Sequence, residues 1–180
     1  SSRGFGARST FGVRGVRLNL SLGVTGSVDS ILPLAQRIAP WGWHLQLLMA
    51  SDVLATLGDV LRSVSVPLVF DHLGRIAPEQ AGKHPAHALL LQLMGEGRAW
   101  VKLSGGYIVS ATHAVDDPAL DALAVSYLRA APERVLWGSD WPHTTETPGT
   151  VNDADLVDLL QAWAGSDAAM DRILVDNPAA

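Results

Sequence analysis

Five short apolar runs, each interrupted by polar or ionisable residues and most separated by a helical pattern, constrain the fold of this chain more than any other feature. The runs are "GVRGVRLNL" (12–20), "WHLQLLM" (43–49), "VPLVFDH" (66–72), "AWVKLSG" (99–105) and "RVLWGSD" (134–140). Helical patterns occupy 30–40, 51–64, 85–97 and 117–131, and the last segment, 152–180, reads as two helices broken near Gly165. Strands alternating with helices of this length predict βαβ units and a parallel sheet covered by helices, an α/β fold. Ser51 and Asp117 are the expected helix N-caps, with Pro118 at the first helical position after Asp117. The longest irregular stretch is 76–87, and residues 1–11 read as an irregular Gly, Ser and Arg-rich segment.

Composition narrows the partners. Apolar residues make up 48% of the 180 and charged residues 17%, enough apolar material for one core and no sign of disorder. A net charge of −5 supplies no basic field for nucleic acid or an anionic membrane, which leaves a small molecule as the expected partner. The absence of cysteine excludes disulfides and thiolate metal sites. No apolar leader or 18-residue apolar span signals secretion or a membrane, so a cytoplasmic location is expected.

Side-chain parity along the strands locates a site. Successive residues point to opposite faces, so Val16, Leu18 and Leu20 share one face of the first run while Gly15, Arg17 and Asn19 share the other. The same alternation groups His44 with Gln46, Phe70 with His72, and Lys102 with Ser104. Any one of these has an ordinary structural explanation: a strand Arg snorkels or pairs, a strand His is satisfied in the core, and Asp140 before Trp141-Pro142 forms a turn. Five strands that all turn polar toward their carboxyl ends point instead to a ligand site there, as in parallel barrels and doubly wound sheets.

The motifs "GVRGVRLNL", "WHLQLL", "PLVFDHLGR", "WVKLSGGY" and "VLWGSDWPH", followed by "DNP", resemble in order and spacing the amidohydrolase-related family of TIM-barrel hydrolases, in its 2-pyrone-4,6-dicarboxylate lactonase and sugar-lactone hydrolase branch. The likeness runs from about residue 12 to residue 178, and "DHLGR" with "GSDWPH" carries most of its specificity. It implies that Asp140 deprotonates the attacking water and that His72 faces the substrate carbonyl. In a metal-dependent member, His72 and Asp140 would ligate a divalent ion such as zinc; the resemblance leaves open whether one metal or none is used. It further implies that Arg14 and Arg17 hold the carboxylate of an anionic lactone, with His44, Lys102, Ser104, Tyr107 and His143 lining the pocket.

The chain departs from the family pattern in several places. It has no H-x-H pair of the kind the superfamily carries on its first strand; His84 and His87, spaced H-x-x-H, read as part of a solvated loop. Ile108 stands where an Arg commonly follows the Tyr of "SGxY", and Thr145 where an Asn often follows "DWPH". A complete (β/α)₈ barrel takes about 250 residues, so the expectation is a partial (β/α)₈ TIM barrel lacking its first strands, with 12–180 as its C-terminal two-thirds. The expected function is opening of a carboxylated or sugar-derived lactone. Two readings stand beside it: a zinc-dependent decarboxylase of the same superfamily, and an inactive fragment or partial gene product. Oligomerisation is left open.

Overall fold

A computed structural model describes residues 12–21 and 26–180; the expected irregular segment 1–11 lies outside the described residues. Five parallel strands form one sheet in sequential order: β1 Gly15–Asn19, β2 His44–Leu48, β3 Leu68–Phe70, β4 Ala99–Leu103 and β5 Val135–Trp137. The register aligns Arg17 with Gln46, Gln46 with Val69, Val69 with Trp100, and Lys102 with Leu136.

That register sorts the two faces. Leu45, Leu47, Leu68, Phe70, Ala99, Val101, Leu103 and Val135 are buried beneath the helices, and Val16 and Leu18 join them from the edge strand. Arg17, His44, Gln46, Trp100, Lys102 and Leu136 occupy the other face, where all remain partly accessible. The outer face therefore holds the apolar core and the inner face carries polar and aromatic groups. This division is what the parity of β1, β2 and β4 predicted.

The covering helices are α1 Ile31–Ile38, α2 Ser51–Ala55, α3 Gly58–Ser63, α4 Pro85–Gly95, α5 Gly106–Val109, α6 Ala119–Ala130, α7 Asp153–Ala164, α8 Asp167–Asp171 and α9 Asn177–Ala179. Gly165, at φ 70°, ends α7 at the predicted break. The expected single helix over 51–64 is two. Thr56 and Leu57 donate back three residues, to Val53 and Leu54, and the Thr56 hydroxyl also donates to the Val53 carbonyl at 2.8 Å, so the turn tightens and stops. Ser51 is the first helical residue rather than the cap, because the first intrahelical bond runs from Leu54 N–H to the Ala50 carbonyl. Asp117 does cap α6: its Oδ1 accepts from Ala119 N–H at 2.9 Å. Among the described residues no helix is long and apolar enough to cross a membrane.

The His84/His87 pair corrects the solvated-loop expectation. His84 is the N-cap of α4, its Nδ1 accepting from Ala86 N–H at 3.1 Å. His87 is buried; its Nδ1 accepts from Gly82 N–H and its Nε2 meets Ser126 Oγ, both at 2.8 Å. Both rings stitch the 76–87 stretch to its neighbours.

Candidate functional site

Two strands end earlier than their apolar patterns suggest, and this early ending builds the site. β3 stops at Phe70 because His72, Leu73, Gly74 and Arg75 all adopt positive φ, at 50°, 53°, 67° and 58°. A left-handed residue cannot continue a strand, and each non-glycine one costs about 1 kcal/mol. Phe70 therefore keeps to the core face, Asp71 takes the inner face with Val69, and the left-handed turn, not strand parity, swings His72 over the carboxyl end of the sheet. β5 likewise stops at Trp137, and Asp140 at φ 68° and His143 at φ 56° turn the chain back across the strand ends.

These turns bring the candidates together. His72, buried to 5% exposure, places Nδ1 3.0 Å from Ser104 Oγ and Nε2 3.8 Å from Asp140 Oδ1. The Tyr107 hydroxyl lies 3.1 Å from Asp140 Oδ2 and 2.8 Å from His143 Nδ1. On its far side His143 Nε2 comes within 3.3 Å of Asp153 Oδ1, without the alignment of a hydrogen bond. Gly105 is required beneath this arrangement: at φ 56°, a Cβ there would stand 2.9 Å from His72 Nδ1.

Beside the cluster lies a carboxylate that strand parity did not single out. Asp71, its side chain 1% exposed, accepts from Arg17 Nε at 2.8 Å and from Gln46 Nε2 at 2.7 Å, with Lys102 Nζ at 3.8 Å. Two cations thus share one buried anion. Asp71 stood in the quoted "DHLGR", but grouping His72 with Phe70 as the polar face assigns Asp71 to the core, whereas the register sets Val69 beside Gln46 and Trp100 and so puts Asp71 on the inner face.

Arg14 and His44 are not part of the cluster. Gly15 pairs with His44, and His44 N–H donates to the Arg14 carbonyl at 2.9 Å, which sets both residues at the amino ends of β1 and β2. There they help line a cavity of about 450 Å³ with Trp100, Lys102 and Leu136. The cavity lies along the inner face toward its amino end, away from Asp140.

Burial decides the imidazole charge states. Desolvation lowers the pKa of His72, against the opposing pull of the Asp140 and Asp71 carboxylates, and so favours the neutral ring. The carboxylate facing Nε2 favours the tautomer with its proton there, which leaves Nδ1 to accept from the Ser104 hydroxyl. Burial, reinforced by Asp140, raises the Tyr107 phenol, which stays protonated as a donor.

As for a metal, His72 and Asp140 face each other closely enough to hold one ion. Among the described residues no group of three or more His, Cys, Asp or Glu converges around it. A catalytic zinc usually takes three protein ligands, so these two residues do not complete a metal site.

Comparison with known proteins places this geometry in a family. The chain is 34% identical over 159 residues to the 4-sulfomuconolactone hydrolase of Hydrogenophaga intermedia, covering 85% of this chain and 52% of that protein. It is 32% identical over 180 residues to the 2-pyrone-4,6-dicarboxylate hydrolase of Comamonas testosteroni, covering 93% and 58%. The chain thus spans little more than half the length of these relatives. A crystal structure of an Agrobacterium tumefaciens protein superposes with a TM-score of 0.86 at 27% identity, over 99% of this chain and 64% of that one. The five strands are accordingly a consecutive arc of a parallel α/β barrel, a partial TIM barrel. The amidohydrolase family model matches residues 7–180, and the chain belongs to that family.

Proposed function

We propose that the strand-end cluster is the reacting site of a hydrolase that opens an anionic lactone, with Asp140 as general base. The observation that carries this reading is the opposition of the Asp140 carboxylate and the His72 imidazole across a 3.8 Å gap, each held by its own partner, Tyr107 and Ser104. A water seated against Asp140 loses a proton to the carboxylate as its oxygen attacks the lactone carbonyl carbon. The carbonyl oxygen takes up the displaced electron pair, and His72 Nε2–H is aimed to donate to it. The tetrahedral centre then expels the ring oxygen, which recovers the proton from Asp140. Atoms and charge balance, and the product is a hydroxy acid or its keto tautomer.

The substrate class follows from the charge beside this pair. Arg17 and Lys102 share a single carboxylate, so these three side chains carry one net positive charge, and a guanidinium fork suits a carboxylate or sulfonate. The relatives named for 4-sulfomuconolactone and 2-pyrone-4,6-dicarboxylate act on anionic rings and support the same class. Ser104, Tyr107 and His143 line the position of the reacting carbonyl in this reading, whereas Arg14 and His44 stand too far toward the amino end to touch it.

Asp140→Asn in the protein expressed from its complete reading frame tests the assignment. The expected result is a fall in kcat on 2-pyrone-4,6-dicarboxylate or 4-sulfomuconolactone of about 10²–10⁴-fold with KM little changed. Near-normal kcat in a folded variant would sink the role of Asp140.

A further inference from the structure

The turn that delivers His72 is an unusual piece of backbone to leave unsupported. Four consecutive residues, His72 to Arg75, hold positive φ, and only Gly74 among them does so without steric penalty. Strained runs of this kind persist only where surrounding structure over-determines them. Gly74 N–H donates to the Asp71 carbonyl at 3.0 Å and Ile76 N–H to the Leu73 carbonyl at 3.4 Å, both within the turn itself. From outside the turn the Tyr127 hydroxyl donates to the Leu73 carbonyl at 3.0 Å.

Tyr127 is itself fixed. It stands on α6 with no exposed surface, and its ring meets the edge of His87 at a centroid distance of 5.3 Å and an interplanar angle of 76°. His87 is held in turn by Gly82 N–H and Ser126 Oγ. A buried phenol pays no further entropy to keep its hydroxyl on one carbonyl, and that carbonyl belongs to the residue next to His72. Loss of this one hydrogen bond would leave the buried Leu73 carbonyl only the longer bond from Ile76 N–H and free the turn to relax toward ordinary φ.

We infer that Tyr127 is a positioning residue, whose hydroxyl pins the left-handed turn at Leu73 and thereby holds the His72 imidazole against Ser104 and opposite Asp140. The inference rests on the reading above in giving His72 a part in turnover, but the pin itself is independent of it. Tyr127 touches none of the reacting groups and acts through the backbone of Leu73 and His72.

Tyr127→Phe removes the hydroxyl alone, and Ser126→Ala, one position away on the same helix, is the control that perturbs packing around His87 without touching Leu73. Histidine ring resonances of the unliganded protein, assigned by NMR, are expected to move at His72 in Tyr127→Phe and to stay in place in Ser126→Ala. Turnover of the anionic lactone by Tyr127→Phe, in the same longer protein used to test Asp140, is expected to fall about tenfold in kcat with KM unchanged, the loss that one orienting hydrogen bond carries. Unmoved His72 resonances in a folded Tyr127→Phe protein would overturn the pin. Moved resonances with unchanged turnover would uphold it and refute instead the role given to His72 in catalysis. If Tyr127→Phe does not fold, the unsubstituted protein decides: a slowly exchanging Tyr127 hydroxyl proton close to Leu73 supports the pin, and its absence overturns it.

Discussion

Arg17 and Asp71, 54 positions apart and on or beside strands that do not pair with each other, are joined by a 2.8 Å bond from Nε to Oδ2, with Gln46 of the intervening strand bonded to the other oxygen. The three side chains tie β1, β2 and the end of β3 together on the inner face. Because Asp71 is almost fully buried while Arg17 is nearly half exposed, the bond matters chiefly for the carboxylate. Arg17→Met should lower stability by about 1–3 kcal/mol, the cost of a buried charged acceptor deprived of a donor. An unchanged urea midpoint would show that Lys102 and Gln46 satisfy Asp71 by themselves.

The same guanidinium separates substrate binding from structure. Arg17→Lys keeps the charge but not the planar fork, so KM for a carboxylated lactone should rise severalfold more than KM for an uncharged one. Equal rises on both substrates would make Arg17 purely a partner of Asp71.

Tyr107 offers a different test. Its buried ring packs without its hydroxyl, but that hydroxyl bridges Asp140 and His143. Tyr107→Phe should keep the fold, by near-ultraviolet circular dichroism, and reduce kcat by roughly tenfold as the base loses one orienting bond. A fall in melting temperature large enough to account for the lost activity would overturn that separation of roles.

Acid should unfold the protein through its desolvated imidazoles. His44, His72 and His87 all have pKa values lowered from 6.5, in each case first by desolvation. The unfolded chain then binds more protons than the folded one, so unfolding free energy rises with pH. Stability is complete above 6.5 and is lost as pH falls from 6.5 through the lowered folded values. Urea midpoints recorded between about pH 7.5 and about pH 5 should decline in that order; a flat profile would mean that these rings titrate alike in both states.

The 180-residue polypeptide made by itself should associate. Among the described residues β1 and β5 each pair on one side only, and Trp100 and Leu136 stand partly open on the inner face. Unpaired strand edges invite pairing with another chain, and each Å² of apolar surface left wet costs roughly 25 cal/mol. Size-exclusion with light scattering should give oligomers and no lactone hydrolysis. A monodisperse monomer that hydrolyses lactones would refute this expectation.

What the amino-acid sequence determined was the part of the fold governed by local rules. The period-two alternation in 12–20, 43–49 and 99–105 assigned Arg17, Gln46 and Lys102 to one face and the apolar partners to the other, because strand pleating follows from backbone geometry alone. Glycine and capping residues marked the break at Gly165 and the cap at Asp117 for the same reason. The family motifs made Asp140, His72, Tyr107 and His143 legible as one set of candidates. Only the tertiary structure decided which of the candidates meet. Asp71 was passed over because grouping Phe70 with His72 as the polar face assigns it to the core, and the chain leaves strand geometry at Phe70 through a left-handed turn whose Leu73 carbonyl accepts from Tyr127 of α6. Arg14 and His44 lie at the amino ends of their strands, away from Asp140, since cross-strand register fixes height along the sheet. The His84/His87 pair became structural because Asp52, Gly82 and Ser126, distant from it or unremarkable in sequence, fold around it. Register, turn handedness and burial are properties of several segments at once, and no single stretch of this chain carries them.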